Sequence, residues 1–131
     1  MRILTIIFTA LILTSCGEFS RSQKASSKEQ HINSSELKIN EQTVKPETEF
    51  EIVFTPRNKI EIIDAHIEGV NMYMGKIPLF FSQKDGSTYH AMGMVGVCSK
   101  REMVWQIQLR YRDVSSQREK TATLNFVVTN A

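Results

Sequence analysis

This chain of 131 residues has few side chains of the kinds that usually act in catalysis. It has only two cysteines and three histidines. It contains no Cys-x-x-Cys, His-Glu-x-x-His, glycine-rich phosphate loop or nucleophile elbow. The sequence also offers no pair of carboxylates on one apolar platform. We therefore expect no enzymatic activity and no catalytic residue.

Charge of one sign is equally scarce. The 16 basic and 14 acidic residues leave a net charge of +2, and no block of like charge interrupts the chain. No basic amphipathic helix is evident either. This balance gives no reason to expect a nucleic-acid partner or electrostatic binding to a membrane surface.

The N-terminus has the pattern of a secretory signal. Arg2 precedes an apolar run over residues 3–14 that is too short to span a bilayer comfortably. The end of this run resembles the lipobox of bacterial lipoproteins: Leu13-Thr14-Ser15-Cys16. The resemblance implies that residues 1–15 are cleaved as a signal peptide and that Cys16 is lipidated. An ordinary signal peptide and a non-cleaved anchor are the alternatives.

The residue after the cysteine bears on localisation. Gly17 stands where the lipoprotein pattern associates aspartate with retention in the inner membrane. The resemblance therefore implies a lipid anchor in the cell envelope, in the outer membrane and facing the periplasm.

Residues 17–46 are polar and contain few large apolar side chains. Such a segment buries too little apolar surface to offset the entropy lost on ordering its backbone. We expect residues 16–46 to be the lipidated cysteine and a flexible tether. A partner-binding segment and a short helix around residues 34–39 remain open alternatives.

Strand patterns dominate residues 47–131, where we expect a single domain. Phe50, Ile52 and Phe54 recur at every second position, and further short runs at 77–83, 87–98, 103–112 and 121–129 are typical of strands. A change of phase at Ile62 and Ile63 indicates a β-bulge. About seven strands and no helix predict an all-β domain, an immunoglobulin-like antiparallel β-sandwich.

Sulfur is concentrated in one part of the chain. Every methionine except Met1 lies between residues 72 and 103. Thioether and thiolate sulfur are soft ligands that select copper(I), and imidazole also binds copper. The candidate metal ligands are the methionine, histidine and cysteine side chains of this part of the chain: Met72, Met74, His90, Met92, Met94 and Cys98. Members two residues apart on a strand share a face and can converge on one ion.

Packing is the competing explanation for this cluster. Asp85-Gly86 predicts a hairpin in which Leu79 faces Met92 and Ile77 faces Met94. That register favours a core role for Met92 and Met94, since methionine often fills irregular gaps. The sequence pattern predicts no partner strand for Met72 and Met74. They could therefore bind a metal ion or form part of an exposed binding surface.

The remaining thiol and a strand histidine also have more than one possible role. If Cys16 carries lipid, Cys98 is left unpaired, and a buried inert thiol, a metal thiolate and an intermolecular bridge are its three possible states. His66 is expected to be a solvated strand residue.

The globular part is similar to the FixH/YtkA-like family of small envelope β-sandwiches. The matching pieces are Met72-Tyr73-Met74-Gly75, Asp85-Gly86, residues 89–94 and Trp105-Gln106-Ile107. Members of that family are associated with copper handling and with assembly of haem-copper oxidases. The resemblance implies an envelope protein that binds or delivers copper(I). The alternative hypothesis is a metal-free module that binds or assembles another envelope protein.

Overall fold

The computed structural model of the protein describes residues 32, 33 and 36–130. The predicted signal peptide, Cys16 and the first part of the predicted tether lie outside these residues. Nine strands form the described part: β1 (Ile32–Asn33), β2 (Leu37–Ile39), β3 (Phe50–Phe54), β4 (Ile60–Gly69), β5 (Lys76–Pro78), β6 (Ser82–Asp85), β7 (Thr88–Gly93), β8 (Glu102–Asp113) and β9 (Glu119–Thr129).

The strands form two sheets. The large sheet has five strands in the order β1-β9-β8-β4-β5, and the small sheet has four in the order β2-β3-β7-β6. All neighbouring strands are antiparallel except β1 and β9, which run parallel. No helix occurs in the described residues. The predicted all-β sandwich is confirmed.

Apolar residues from both sheets meet in one core. The small sheet contributes Phe50, Ile52 and Phe54, each at most 2% exposed, in the alternation that the sequence predicted. The large sheet contributes the inward side of β8, which includes Met103, Trp105, Ile107 and Leu109. The fully buried side chain of Met103 is therefore a core residue, as methionine's flexibility allows.

The predicted bulge is confirmed. The register of β4 against β8 shifts between Ile62 and Asp64, so one residue of β4 is left over. An extra residue exchanges the two faces of a strand. Beyond the bulge Ala65 and Ile67 therefore point into the core, where Ile67 is 0% exposed.

The turn between β8 and β9 is closed by a buried carboxylate. Asp113 accepts hydrogen bonds from the Ser115 hydroxyl and from the backbone N–H groups of Ser115 and Ser116. It also accepts from the Asn58 amide and the Lys120 ammonium group. These donors, Ser115 first, hold the pKa of Asp113 well below its ordinary value. Asp113 thus has a structural role at this end of the sandwich.

The sandwich begins earlier than residue 47, where we placed its boundary. β2 pairs with β3, with Leu37 opposite Phe54, and Leu37 is only 1% exposed. Val44 is also buried in the core. Leu37 and Ile39 are two residues apart, so even a polar segment presents them on one face of a strand. The expectation of a tether is wrong for residues 37–46, and the helix left open there is a strand in the structure.

The hairpin between β6 and β7 has a different register from the one expected. Ser82 lies opposite His90 and Asp85 opposite Thr88, with an irregularity at Lys84. Gly86, with φ of 52°, and Ser87 make the turn. The pair next to the turn is shifted by two residues from the predicted pairing of Lys84 with Ser87, and the irregularity at Lys84 leaves a net slip of one residue along the rest of the hairpin. A slip of one residue moves every side chain to the other face.

The run that we predicted as one strand over residues 77–83 is divided between the sheets. Ile77 pairs with Ile67 in the large sheet, whereas Ser82 pairs with His90 in the small sheet. Between them Leu79 is buried, and its backbone N–H donates to the Ala65 carbonyl at 2.9 Å. The chain therefore crosses from one layer to the other at residues 79–81, and Ile77 does not face Met94.

Candidate functional site

A row of potential ligand side chains lies on the outer face of the small sheet. Along β7, Ala91 points into the core, and the next outward residue, Met92, is 56% exposed. The alternation continues past the end of the strand, since Val95 is buried and Met94 is 51% exposed. His90 belongs to the same phase as the two methionines. We call His90, Met92 and Met94 the β7 row.

The expected core role of Met92 and Met94 is therefore wrong. The physical reason is the slipped hairpin register described above, because it places the even-numbered residues of β7 on the solvent side. Leu79, the expected partner of Met92, is instead buried at the crossing between the sheets. The two thioethers are free of the core and accessible to a ligand.

Glu51 on the neighbouring strand β3 holds the imidazole of His90. The Nδ1 atom of His90 lies 2.8 Å from Oε1 of Glu51. The other carboxylate oxygen of Glu51 accepts a hydrogen bond of 2.8 Å from the Asn40 amide, and the Lys84 ammonium group lies 3.9 Å from Oε1. The hydrogen bond from His90 is the first cause that lowers the pKa of Glu51 below its ordinary value.

This contact determines which nitrogen of His90 is available. A carboxylate only accepts hydrogen bonds, so Nδ1 carries the hydrogen and donates it to Glu51. In the neutral ring Nε2 then keeps its lone pair. A carboxylate that fixes the tautomer and orientation of an imidazole in this way is the usual outer partner of a metal-binding histidine.

His90 and Met92 share a cleft of about 380 Å³ on the sheet surface. Its other walls include Phe80, which is 83% exposed, and the side chains of Ser82 and Lys84. Glu51 directly opposes Met92 in the β3–β7 pairing and closes the cleft behind His90. His90 and Met92 thus line the same cleft on the outer face of the small sheet.

Met72 and Met74 lie elsewhere, in the loop between β4 and β5. Asn71 ties this loop to β8: its side chain accepts from the Val104 N–H at 3.0 Å and donates to the Glu102 carbonyl at 3.1 Å. Met72 packs against the core, whereas Met74 is 37% exposed. The Cε atom of Met74 reaches the segment after β7, at 3.8 Å from the position that a Cβ atom would take at Gly96.

Cys98 lies in the loop that follows β7. Its thiol is half-buried, packs against the core and forms no disulfide with any described residue. A hydrogen bond from the Lys100 backbone is the first cause that lowers the pKa of this thiol from its ordinary value. Its Sγ atom lies 3.9 Å from the Ser99 hydroxyl. Cys98 lies four residues beyond Met94 in the chain and outside strand β7.

His66 is buried, contrary to the expectation of a solvated residue. It is 8% exposed, and its strand neighbours Pro78 and Gln108 stand opposite it on both sides. Nδ1 lies 3.2 Å from the Asp64 carboxylate, and Nε2 lies 3.7 Å from that of Glu68. His66 belongs to the large sheet and is separate from the β7 row.

Among the described residues, no three His, Cys, Asp or Glu side chains are grouped so that they could hold a metal ion. Residue 51 was not among the candidates from the sequence. The sequence predicts that Glu51 points outward, because its neighbours Phe50 and Ile52 point into the core. Its position beside His90 follows only from the pairing of β3 with β7.

Comparisons with protein families, with curated proteins and with solved structures find no match for this chain. The resemblances to lipoproteins and to the FixH/YtkA-like family consequently stay predictions. Within residues 32, 33 and 36–130, no helix has the length and hydrophobicity that crossing a membrane would require.

Proposed function

We propose that this chain is a lipid-anchored protein of the cell envelope whose β-sandwich binds copper(I) at the β7 row. The observation that carries the proposal is the arrangement of His90, Glu51 and Met92. Glu51 orients the imidazole so that Nε2 is the free nitrogen, and the exposed thioether of Met92 lines the same cleft. Thioether sulfur selects copper(I) and imidazole also binds copper, and a carboxylate partner is what usually orients a metal-binding imidazole.

The position of the row suits transfer of the ion as well as its binding. Met92 and Met94 are each about half exposed, at 56% and 51%, so a partner protein can reach both sulfur atoms. Copper held at a surface of this kind can pass to the ligands of a second protein by stepwise exchange. Delivery of copper(I) to an envelope partner is therefore part of the proposal.

Anaerobic titration tests the site. Copper(I) is added to the full chain in detergent in competition with a coloured chelator, and the protein is expected to withdraw a single ion. In the double variant Met92→Leu and Met94→Leu the affinity should fall roughly tenfold or more, which is about 1.4 kcal/mol or more. Leucine keeps the apolar bulk and removes the sulfur, so folding should be unaffected.

The loop methionines provide the matched control. Met72→Leu with Met74→Leu removes the same number of sulfur atoms from the β4–β5 loop and should leave the copper affinity unchanged. If the unaltered protein does not compete for copper(I), or if the loop variant alone loses affinity, the assignment to the β7 row is wrong.

The anchor is tested separately. Labelled palmitate is expected to enter the protein, because Leu13 to Cys16 has the lipobox pattern. Cys16→Ser should abolish the label, whereas Cys98→Ser, the matched change of the other cysteine, should retain it. Label retained in the Cys16→Ser protein would contradict lipidation at this residue.

A metal-free role in binding or assembling another protein is the second candidate. Tyr73 and Phe80 are 97% and 83% exposed, and large exposed aromatic side chains are common at protein-binding surfaces. Phe80 lines the cleft of the β7 row, so the two functions would use overlapping surfaces. Failure of the copper titration, with Tyr73→Ser or Phe80→Ser weakening capture of an envelope partner, would favour this role.

A further inference from the structure

An open cavity lies where the loop between β3 and β4 meets the turn between β6 and β7. Its volume is about 460 Å³. Residues 57–59 of the β3–β4 loop line it together with Gly86 and Ser87 of the turn. The cavity shares no lining residue with the cleft of the β7 row.

The charge of this cavity has one sign. Among the described residues, the charged side chains that line it are Arg57 and Lys59, and no carboxylate does. Lys59 forms no ion pair within the described part of the chain. Nε of Arg57 lies 3.1 Å from the Glu36 carboxylate, but the Arg57 side chain is 85% exposed, so its guanidinium group stays accessible. Two cations without a carboxylate among them favour an anionic ligand.

The β3–β4 loop is held in place by the end of β8 and the turn that follows. The Asn58 amide donates a hydrogen bond of 2.8 Å to the buried Asp113 carboxylate, and the Lys59 carbonyl accepts one of 3.0 Å from the Val114 N–H. Two residues of the loop are thus fixed before any ligand binds. A preformed wall of this kind reduces the entropy that is lost on binding.

The neutral side chains of the cavity offer hydrogen-bond acceptors. Nδ2 of Asn58 donates to Asp113, and Nε2 of Gln83 donates to the Gly86 carbonyl. Their amide oxygens, Oδ1 of Asn58 and Oε1 of Gln83, form no hydrogen bond with the described residues. Because an amide oxygen only accepts, these two atoms suit the hydroxyl groups of a ligand.

We propose that this cavity binds the phosphate monoester of a small polyhydroxylated molecule, the class that includes sugar phosphates. A phosphate monoester carries a charge of about −1.5 to −2 near neutral pH, which Arg57 and Lys59 together match better than a single carboxylate would. The planar guanidinium group also fits the oxygen atoms of a phosphate. The amide oxygens of Asn58 and Gln83 accept hydrogen bonds from the hydroxyl groups. The inference is independent of copper binding and of the lipid anchor.

Calorimetric titration of the full chain in detergent with glucose 6-phosphate tests the site. The double variant Arg57→Gln and Lys59→Gln should bind it roughly tenfold more weakly or worse, because both cations are lost. The two residues are exposed, so the thermal unfolding transition should not change.

A matched control separates the cavity from the net charge of the chain. Lys38→Gln with Arg101→Gln removes the same charge from exposed positions that do not line the cavity, and the affinity for glucose 6-phosphate should not change. Equal weakening in the two double variants would mean that net charge alone attracts the anion, and it would overturn the proposal.

Two further ligands separate the parts of the molecule that are recognised. Glucose at the same concentration should not bind, because it lacks the anionic group, and inorganic phosphate should bind more weakly than glucose 6-phosphate, because it lacks the hydroxyl groups. Ser87→Glu places a carboxylate beside the two cations and should abolish binding of glucose 6-phosphate. No binding of glucose 6-phosphate by the unaltered protein, or equal binding of glucose or of inorganic phosphate, would overturn the proposal.

Discussion

Replacing Met103 by alanine is expected to lower the free energy of unfolding by about 2 to 5 kcal/mol, the range found for truncation of a large core side chain. Met103 is 0% exposed on the inward side of β8 and pairs with Val128 of β9, which is also 0% exposed. The packed neighbours of Met103 close the resulting cavity only in part. Denaturant unfolding of the purified protein measures the change.

Met92→Ala is the matched control for this substitution. The side chain of Met92 is 56% exposed, so the same truncation should change the free energy of unfolding by no more than about 0.5 kcal/mol. The difference between the two variants tests the observed register of β7 directly. A loss of 2 kcal/mol or more in Met92→Ala would restore the core role predicted from the sequence.

Loss of the imidazole should have the largest effect on copper binding. Glu51→Gln removes the carboxylate that orients His90 and should weaken copper(I) binding by roughly 10 to 100-fold, as is typical for an outer partner. His90→Gln removes the ligand itself and should weaken binding further. Competition with a coloured chelator measures both variants under the same anaerobic conditions.

The buried histidine of the large sheet supplies the control. His66 lies in the large sheet between Asp64 and Glu68, so His66→Gln should leave the copper affinity unchanged. If His66→Gln and His90→Gln weaken binding equally, the effect comes from a general change in the fold. If neither weakens it, copper(I) does not bind through His90.

The local features of the fold could be predicted from the sequence because they depend on alternation within one strand. Phe50, Ile52 and Phe54 share a face in any extended segment, and this face is buried in the structure. The change of phase at Ile62 and Ile63 needed only an extra residue in β4. Neither inference required knowledge of a partner strand.

The candidate site could not be predicted in the same way because it depends on pairing between strands. One irregular residue, Lys84, moves the β6–β7 hairpin by one position and transfers Met92 from the expected core to the surface. The partnership of Glu51 with His90 joins residues 39 positions apart in the chain. Composition and spacing alone do not contain this information.

The burial of His66 and the early start of the domain have a similar cause. Both depend on pairings that the local pattern did not show: β5 pairs with β4 at His66, and β2 pairs with β3 at Leu37. Short strands of three residues give little alternation to detect. Their effect on burial becomes visible only when the sheet order is known.

X-ray absorption spectroscopy of the protein loaded with one equivalent of copper(I) identifies the atoms bound to the ion and so tests the proposed site. We expect an imidazole nitrogen from His90 together with thioether sulfur, and loss of the sulfur signal in Met92→Leu with Met94→Leu. Cys98→Ser should leave the spectrum unchanged. A spectrum whose sulfur signal disappears in Cys98→Ser and persists in the methionine variant would contradict the assignment of the site to the β7 row.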